Sequence, residues 1–235
     1  MLDVQIWRGR EDGGLVSYNV PKRDNQTVLD VVTWVQRNVE PALAYRFACR
    51  VGVCGSCAMT VNGRPRWTCR SHVKDVAPSG RLVIEPLRNL PRIKDLVADL
   101  TPFFEKWQKA GGRFAGTADR HAPMTSISPD EPRRRAVDAG IECINCAVCY
   151  SACDVVGWKA DYLGPAALNR AWTLVNDDRH GERRATLDKA TADGGCHSCH
   201  THASCLEHCP VGINPTRGIA GLKRLSLLRL TGGGP

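Results

Sequence analysis

The sequence predicts an α+β protein in two parts, a mixed strand-and-helix first part and a mainly helical second part. Three observations carry that reading. Apolar residues alternate at Val4 and Ile6 and again at Val16, Tyr18 and Val20, as half-buried strands require. Leu29, Val32 and Val35 then fall on one face of a helical stretch, Thr27 to Asn38. Beyond residue 138 no strand alternation remains, and eight cysteines lie among short helical stretches.

In chain order, the Gly13-Gly14 pair supplies a turn between the first two strands, and Pro41 lies beyond the end of the helix. A strand over Ala58 to Val61, a turn at Asn62-Gly63 and a final strand around Leu82 to Ile84 follow. Between residues 102 and 135 the pattern weakens, and Gly111, Gly112, Gly116, Pro123, Pro129 and Pro132 mark a linker. The expected domains are therefore 1–101 and 136–235, joined by 102–135.

The chain has 235 residues, 43% hydrophobic and 24% charged, which suits a globular protein with real cores. It contains no run of the roughly 20 apolar residues that a membrane helix needs. Met1 to Arg8 lacks the apolar region of a signal peptide, so the expected location is cytoplasmic unless a partner carries the chain elsewhere. The net charge of +8 steers association without specifying a partner.

Twelve cysteines at chelating spacings read as metal-bound thiolates rather than as a secreted disulfide scaffold. Cys49, Cys54, Cys57 and Cys69 have the C-x4-C-x2-C spacing with a distant fourth found in plant-type ferredoxins, a [2Fe-2S] signal. Gly52 and Gly55 let that loop wrap a cluster closely. Zinc is the competing reading, but zinc knuckles usually pair two C-x2-C units and only one is present here. Cys143, Cys146, Cys149 and Cys153 have the C-x2-C-x2-C-x3-C spacing of bacterial ferredoxins, whose fourth cysteine serves a different cluster. A donor from far along the chain is then required. The last group, Cys196, Cys199, Cys205 and Cys209, offers one in Cys209, which precedes Pro210.

Together with CGSCAMTVNG, EPLRNLPRIKDLVADL at 85–100, YLGPAAL at 162–168, NDDR at 176–179 and CPVGINP at 209–215, these groups resemble the iron-sulfur subunit of the succinate dehydrogenase and fumarate reductase family. The resemblance implies a β-grasp ferredoxin-like N-terminal domain with a [2Fe-2S] cluster. It also implies an α-helical ferredoxin-like C-terminal domain with a [4Fe-4S] and a [3Fe-4S] cluster. Carried over by position, Cys143, Cys146, Cys149 and Cys209 hold the [4Fe-4S] cluster, and Cys153, Cys199 and Cys205 the [3Fe-4S] cluster. Two departures bear on the third cluster. Asp154 stands where the family commonly has proline, and Cys196 is a thiol the scheme does not use. Cys196 as a spare thiol, Cys196 as a fourth ligand, and ligation by one of the nearby histidines, His197, His200, His202 or His208, all stay open.

The resemblance further implies quinone contact by Trp158, five residues after Cys153, and by His200, directly after Cys199. An indole N–H can donate to a quinone carbonyl, and a histidine can donate a hydrogen bond and a proton. Without the match, Trp158 reads as a core or interface residue. Leu222, Leu225, Leu228 and Leu230 with Lys223, Arg224 and Arg229 suit an amphipathic helix at an anionic membrane surface, though an ordinary docking helix is the plainer reading. The Arg133 to Arg135 run reads as a solvated face or a contact with an acidic partner.

The chain lacks a G-x-G-x-x-G after a strand, so flavin chemistry is expected on another subunit. The expected partners are an FAD-containing flavoprotein, one or more membrane anchor subunits and a quinone, with the complex at the cytoplasmic face of a bacterial membrane. The competing functions are fumarate reduction, service to another flavoprotein such as a glycolate-oxidase or heterodisulfide-reductase system, and nucleic-acid binding. The last has a pI near 9.0 in its favour and no recognisable reading element.

Overall fold

The structure, a computed structural model, describes residues 1–230, the side chain of Leu230 excepted. It divides into two compact units. Met1–Leu100 and Ile144–Ala152 form the first, and Thr101–Cys143 with the chain from Cys153 onward form the second.

In the first unit, β1 (Leu2–Arg8) pairs antiparallel with β2 (Gly14–Val20), and α1 (Val28–Asn38) follows. Thr27 caps that helix. Its Oγ1 accepts from the Asp30 N–H at 3.2 Å, while Asp30 accepts from the Thr27 N–H at 2.9 Å, so two orphan donors of the first turn are satisfied reciprocally. Then come β3 (Ala58–Val61), β4 (Arg64–Trp67), α2 (Val73–Val76) and β5 (Arg81–Glu85). Asn62 and Gly63, at φ +48° and +76°, make the two-residue turn between β3 and β4 that the sequence signals. The sheet order is β2-β1-β5-β3-β4, with β1 and β5 parallel, and a short pair, β6 (Arg92–Lys94) and β7 (Val97–Ala98), closes the unit. This is the expected β-grasp arrangement. Leu2, Val4 and Ile6 alternate inward against Val28, Val31, Val32 and Val35 of α1, all fully buried. Each is worth roughly 1.5–3 kcal/mol of hydrophobic burial.

Asp95 locks the edge of this unit. Its carboxylate accepts from the N–H of Gly9 and of Ala44, both at 2.8 Å, and from Arg8 Nε at 3.1 Å. Burial opposes its charge, but those donors prevail and hold the carboxyl below its ordinary range.

The second unit contains α3 (Thr101–Lys109), α4 (Pro132–Val137), α6 (Asp154–Trp158), α7 (Pro165–Val175), α8 (Arg183–Thr191), α9 (Ser204–Glu207) and α10 (Pro215–Leu230); α5 (Val148–Ser151) belongs to the first unit. Residues 102–135, read from sequence as a linker, thus begin inside a helix, and Phe103 of that helix is buried. Further on, Thr117 N–H donates to Arg179 C=O, and Ala115 N–H donates to Nδ1 of the buried His180 at 3.1 Å. Burial lowers the pKa of His180, which keeps that nitrogen available as an acceptor.

α10 docks on α7 across Gly218 and Gly221. A Cβ at Gly221 would lie 2.4 Å from the Trp172 ring. Leu222 is fully buried and Leu225 half-buried, whereas Leu228 is exposed; the side chain of Leu230 lies outside the described residues. α10 is therefore a docking helix within its unit. Within the arginine run, Arg133 pairs with Asp178 and Arg134 with Asp138, so two of its three members are engaged inside the unit.

Candidate metal centres

The first cysteine group lies wholly in the first unit, on the loop between α1 and β3 and on the turn after β4. Backbone amides point at its sulfurs. The N–H groups of Val53 and Cys54 each lie 3.3 Å from Cys49 Sγ, and Cys69 N–H lies 3.4 Å from Cys57 Sγ. Backbone donors from Cys54, Val51 and Val53 lower the Cys49 thiol to about 6, whereas burial pushes Cys69 up to about 11. A loop that aims N–H groups at sulfur suits thiolate donors to a cluster. Gly52 and Gly55, at φ +77° and +71°, supply the left-handed positions the wrap needs.

Gly55 also makes a close approach that the spacing did not reveal. A Cβ there would stand 2.5 Å from the Cβ of Cys146, which lies in the same unit. The segment bearing Cys146 and Cys149 is held by the stretch at 85–100. Arg88 N–H donates to Ser151 Oγ at 2.8 Å, and Asn89 Nδ2 donates to the carbonyls of Tyr150 and Ser151. That grip is a physical reason for the EPLRN portion of the motif.

Cys143, Cys153, Cys196, Cys199, Cys205 and Cys209 belong to the second unit. Tyr162, 1% exposed, lies among Cys153, Cys199 and Cys205, and its hydroxyl is held far above its ordinary range by burial first and then by those thiols. The three cysteines therefore converge around one buried phenol. Burial raises the Cys153 and Cys205 thiols. Thr201 N–H lies 3.4 Å from Cys199 Sγ, Thr216 Oγ1 lies 3.4 Å from Cys205 Sγ, and Ile213 N–H lies 3.3 Å from Cys209 Sγ. Cys196 is fully buried, and burial pushes its thiol up to about 11. Lys223 Nζ donates to the Cys199 carbonyl at 2.8 Å, a contact that accords with the docking-helix reading of α10.

Trp158 is 72% exposed, so it is not a core residue. Its ring stands edge-on to His202 at 6.0 Å, and the His200 ring lies parallel to His202, also at 6.0 Å. His202 thus stands between the two residues that sequence reasoning selects. Its own signal is a place in the cysteine spacing. Among the described residues no group of three or more His, Cys, Asp or Glu side chains is placed to hold a metal ion.

Residues 3–105 match the model of a 2Fe-2S iron-sulfur cluster binding domain, and residues 140–213 that of a 4Fe-4S dicluster domain. The chain is 33% identical to a fumarate reductase iron-sulfur subunit of Haemophilus influenzae, covering 93% of this chain and 90% of the relative. It is 34% identical to a succinate dehydrogenase iron-sulfur subunit of Paracoccus denitrificans, over 86% of this chain and 77% of that one. Among solved structures, a chain of the Mycobacterium smegmatis Sdh1 complex in the apo form superposes with a TM-score of 0.83 at 27% identity, covering 95% of this chain and 94% of that chain. A 2Fe-2S domain on a β-grasp sheet, a helical 4Fe-4S domain and near-full-length relatives of two names agree, and the chain belongs to the succinate dehydrogenase and fumarate reductase iron-sulfur subunit family.

Proposed function

We propose that the chain is the iron-sulfur subunit of a succinate:quinone oxidoreductase, relaying single electrons between a flavoprotein subunit and a membrane quinone. The observation that carries the proposal is the ordered set of three cysteine groups on a chain that matches the relatives over most of its length. Cys49, Cys54, Cys57 and Cys69 hold the [2Fe-2S] cluster. Cys143, Cys146, Cys149 and Cys209 hold the [4Fe-4S] cluster, an assignment that rests on the bacterial-ferredoxin spacing. Cys153, Cys199 and Cys205 supply three corners of the third cluster, of [3Fe-4S] type in the family scheme, and Tyr162 excludes water beside them. These clusters supply one-electron redox chemistry. The chain's own groups donate backbone N–H to the sulfurs and present Trp158 and His200 to the quinone head group.

In this reading membrane anchor subunits hold the complex at the cytoplasmic face of the cell membrane. Among the described residues no helix is long and apolar enough to cross a membrane. Relatives named for succinate dehydrogenase and for fumarate reductase match at nearly equal identity, 34% and 33%, which keeps fumarate reduction as a second reading. Purification with the partner subunits and assay of succinate-to-quinone turnover tests the proposal. Iron with acid-labile sulfide and succinate-dependent quinone reduction are expected; zinc without sulfide sinks the electron-transfer reading.

A further inference from the structure

The structure assigns His202 as the fourth protein ligand of the third cluster, so that the cluster retains a fourth iron and is a [4Fe-4S] centre with mixed cysteine and histidine ligation. The inference rests on the cysteine assignment proposed above and amends only the composition of that one cluster.

The two C-terminal cysteine runs share a backbone conformation residue by residue. Cys143 has φ −61° and ψ 118°, and Cys199 has φ −73° and ψ 123°. Two residues later Asn145 and Thr201 are both left-handed, at φ +53° and +63°. After one more residue come Ala147 and Ala203, with φ, ψ of 60°, 5° and 63°, 5°, each capping a four-residue helix, Val148–Ser151 and Ser204–Glu207. The helices end alike, since Ala152 N–H and His208 N–H each donate back to the carbonyls two and four residues earlier. In this register Cys143 corresponds to Cys199, Cys149 to Cys205 and Cys153 to Cys209. Cys146 corresponds to His202, whereas Cys196 falls outside the repeat.

In a C-x2-C-x2-C-x3-C run the first three cysteines hold corners of one cubane and the fourth serves the other cluster. The second run here reads C-x2-H-x2-C-x3-C. Its place for a second corner is therefore filled by a metal-binding side chain. A neutral imidazole nitrogen can donate to iron, as histidine does in Rieske centres. His202 stands edge-on to Trp158 and parallel to His200, so rotation about its side-chain torsions is what ligation requires. A histidine in place of a thiolate leaves the cluster less negative and raises its potential, which suits the terminal donor to a quinone.

The test is paramagnetic resonance of the purified complex. The wild-type protein is expected to lack an oxidised-state [3Fe-4S] signal and, on reduction, to show a four-iron cluster with nitrogen hyperfine coupling. His202→Val is expected to produce the [3Fe-4S] signal, lose the coupling and lose one iron per chain. His202→Cys is expected to keep four irons, lose the coupling and lower the potential. A full [3Fe-4S] signal in the wild-type protein that His202→Val leaves unchanged overturns the inference while upholding the three-cysteine site. A Cys199→Ser variant with unchanged cluster content overturns the cysteine assignment itself, and the inference with it.

Discussion

Gly55 and Gly52 occupy the same loop and the same left-handed backbone region, yet a Cβ at each meets different neighbours. At Gly52 it would touch Arg70 Cγ and the Trp67 ring near 3.0 Å; at Gly55 it would meet Cys146 Cβ at 2.5 Å and Cα at 2.9 Å. Alanine at either position costs roughly 1–2 kcal/mol of backbone strain. Only Gly55→Ala must also push the Cys49–Cys57 loop away from Cys146. In the holoprotein, Gly55→Ala is expected to weaken the magnetic interaction between the reduced [2Fe-2S] and [4Fe-4S] clusters, with Gly52→Ala at the wild-type level. Equal interaction in both variants would show that the close approach carries no such role.

Asp95 gives a second prediction at this scale. Its folded-state pKa is depressed below 3.8, so its contribution to stability is complete above that value and is lost as pH falls through the folded pKa. Asp95→Asn removes the charge facing Arg8 and is expected to cost about 3 kcal/mol at neutral pH, read by urea unfolding of the full chain. The difference from wild type should shrink in acid; a constant difference down to pH 3 or so counts against the carboxylate's role.

At the scale of elements, α1 and α10 show what patterning conveys and what it omits. The α1 periodicity places Leu29, Val32 and Val35 inward, and all three are buried. The sequence reading did not use Thr27 as a cap, although its box with Asp30 is a local signal. Thr27→Ala should cost about 1 kcal/mol, measured by thermal unfolding, and no loss would mean the cap is redundant. For α10, hydrophobic spacing announces an apolar face but not its partner, because that depends on Trp172 filling the space over Gly218 and Gly221 from a distant helix. The same asymmetry governs the site. Cysteine spacing is local and legible, whereas the grip of Arg88 and Asn89 on 150–151, the approach of Gly55 to Cys146 and the burial of Tyr162 among three thiols are tertiary contacts without a sequence period. The helix at Thr101–Lys109 was hidden because the glycines and prolines that follow it dominate composition in that region.

For the molecule as a whole, stability is divided between two kinds of structure. The β1–β5 sheet with α1 buries a continuous aliphatic core that contains none of the cysteines. The cysteine runs hold Asn145, Ala147, Thr201 and Ala203 in left-handed conformations that cost of order 1–3 kcal/mol each for non-glycine residues. On the proposed cluster assignment, metal–thiolate bonds would offset that strain, and cluster binding and local folding are expected to form one equilibrium in these segments. Iron chelation under reducing conditions is therefore expected to expose 140–153 and 196–212 to limited proteolysis well before the strands of the first unit are cut, with fragments read by mass spectrometry. Cleavage that begins in β1 or β5, or proceeds at one rate throughout, would show instead that the sheet also depends on its clusters.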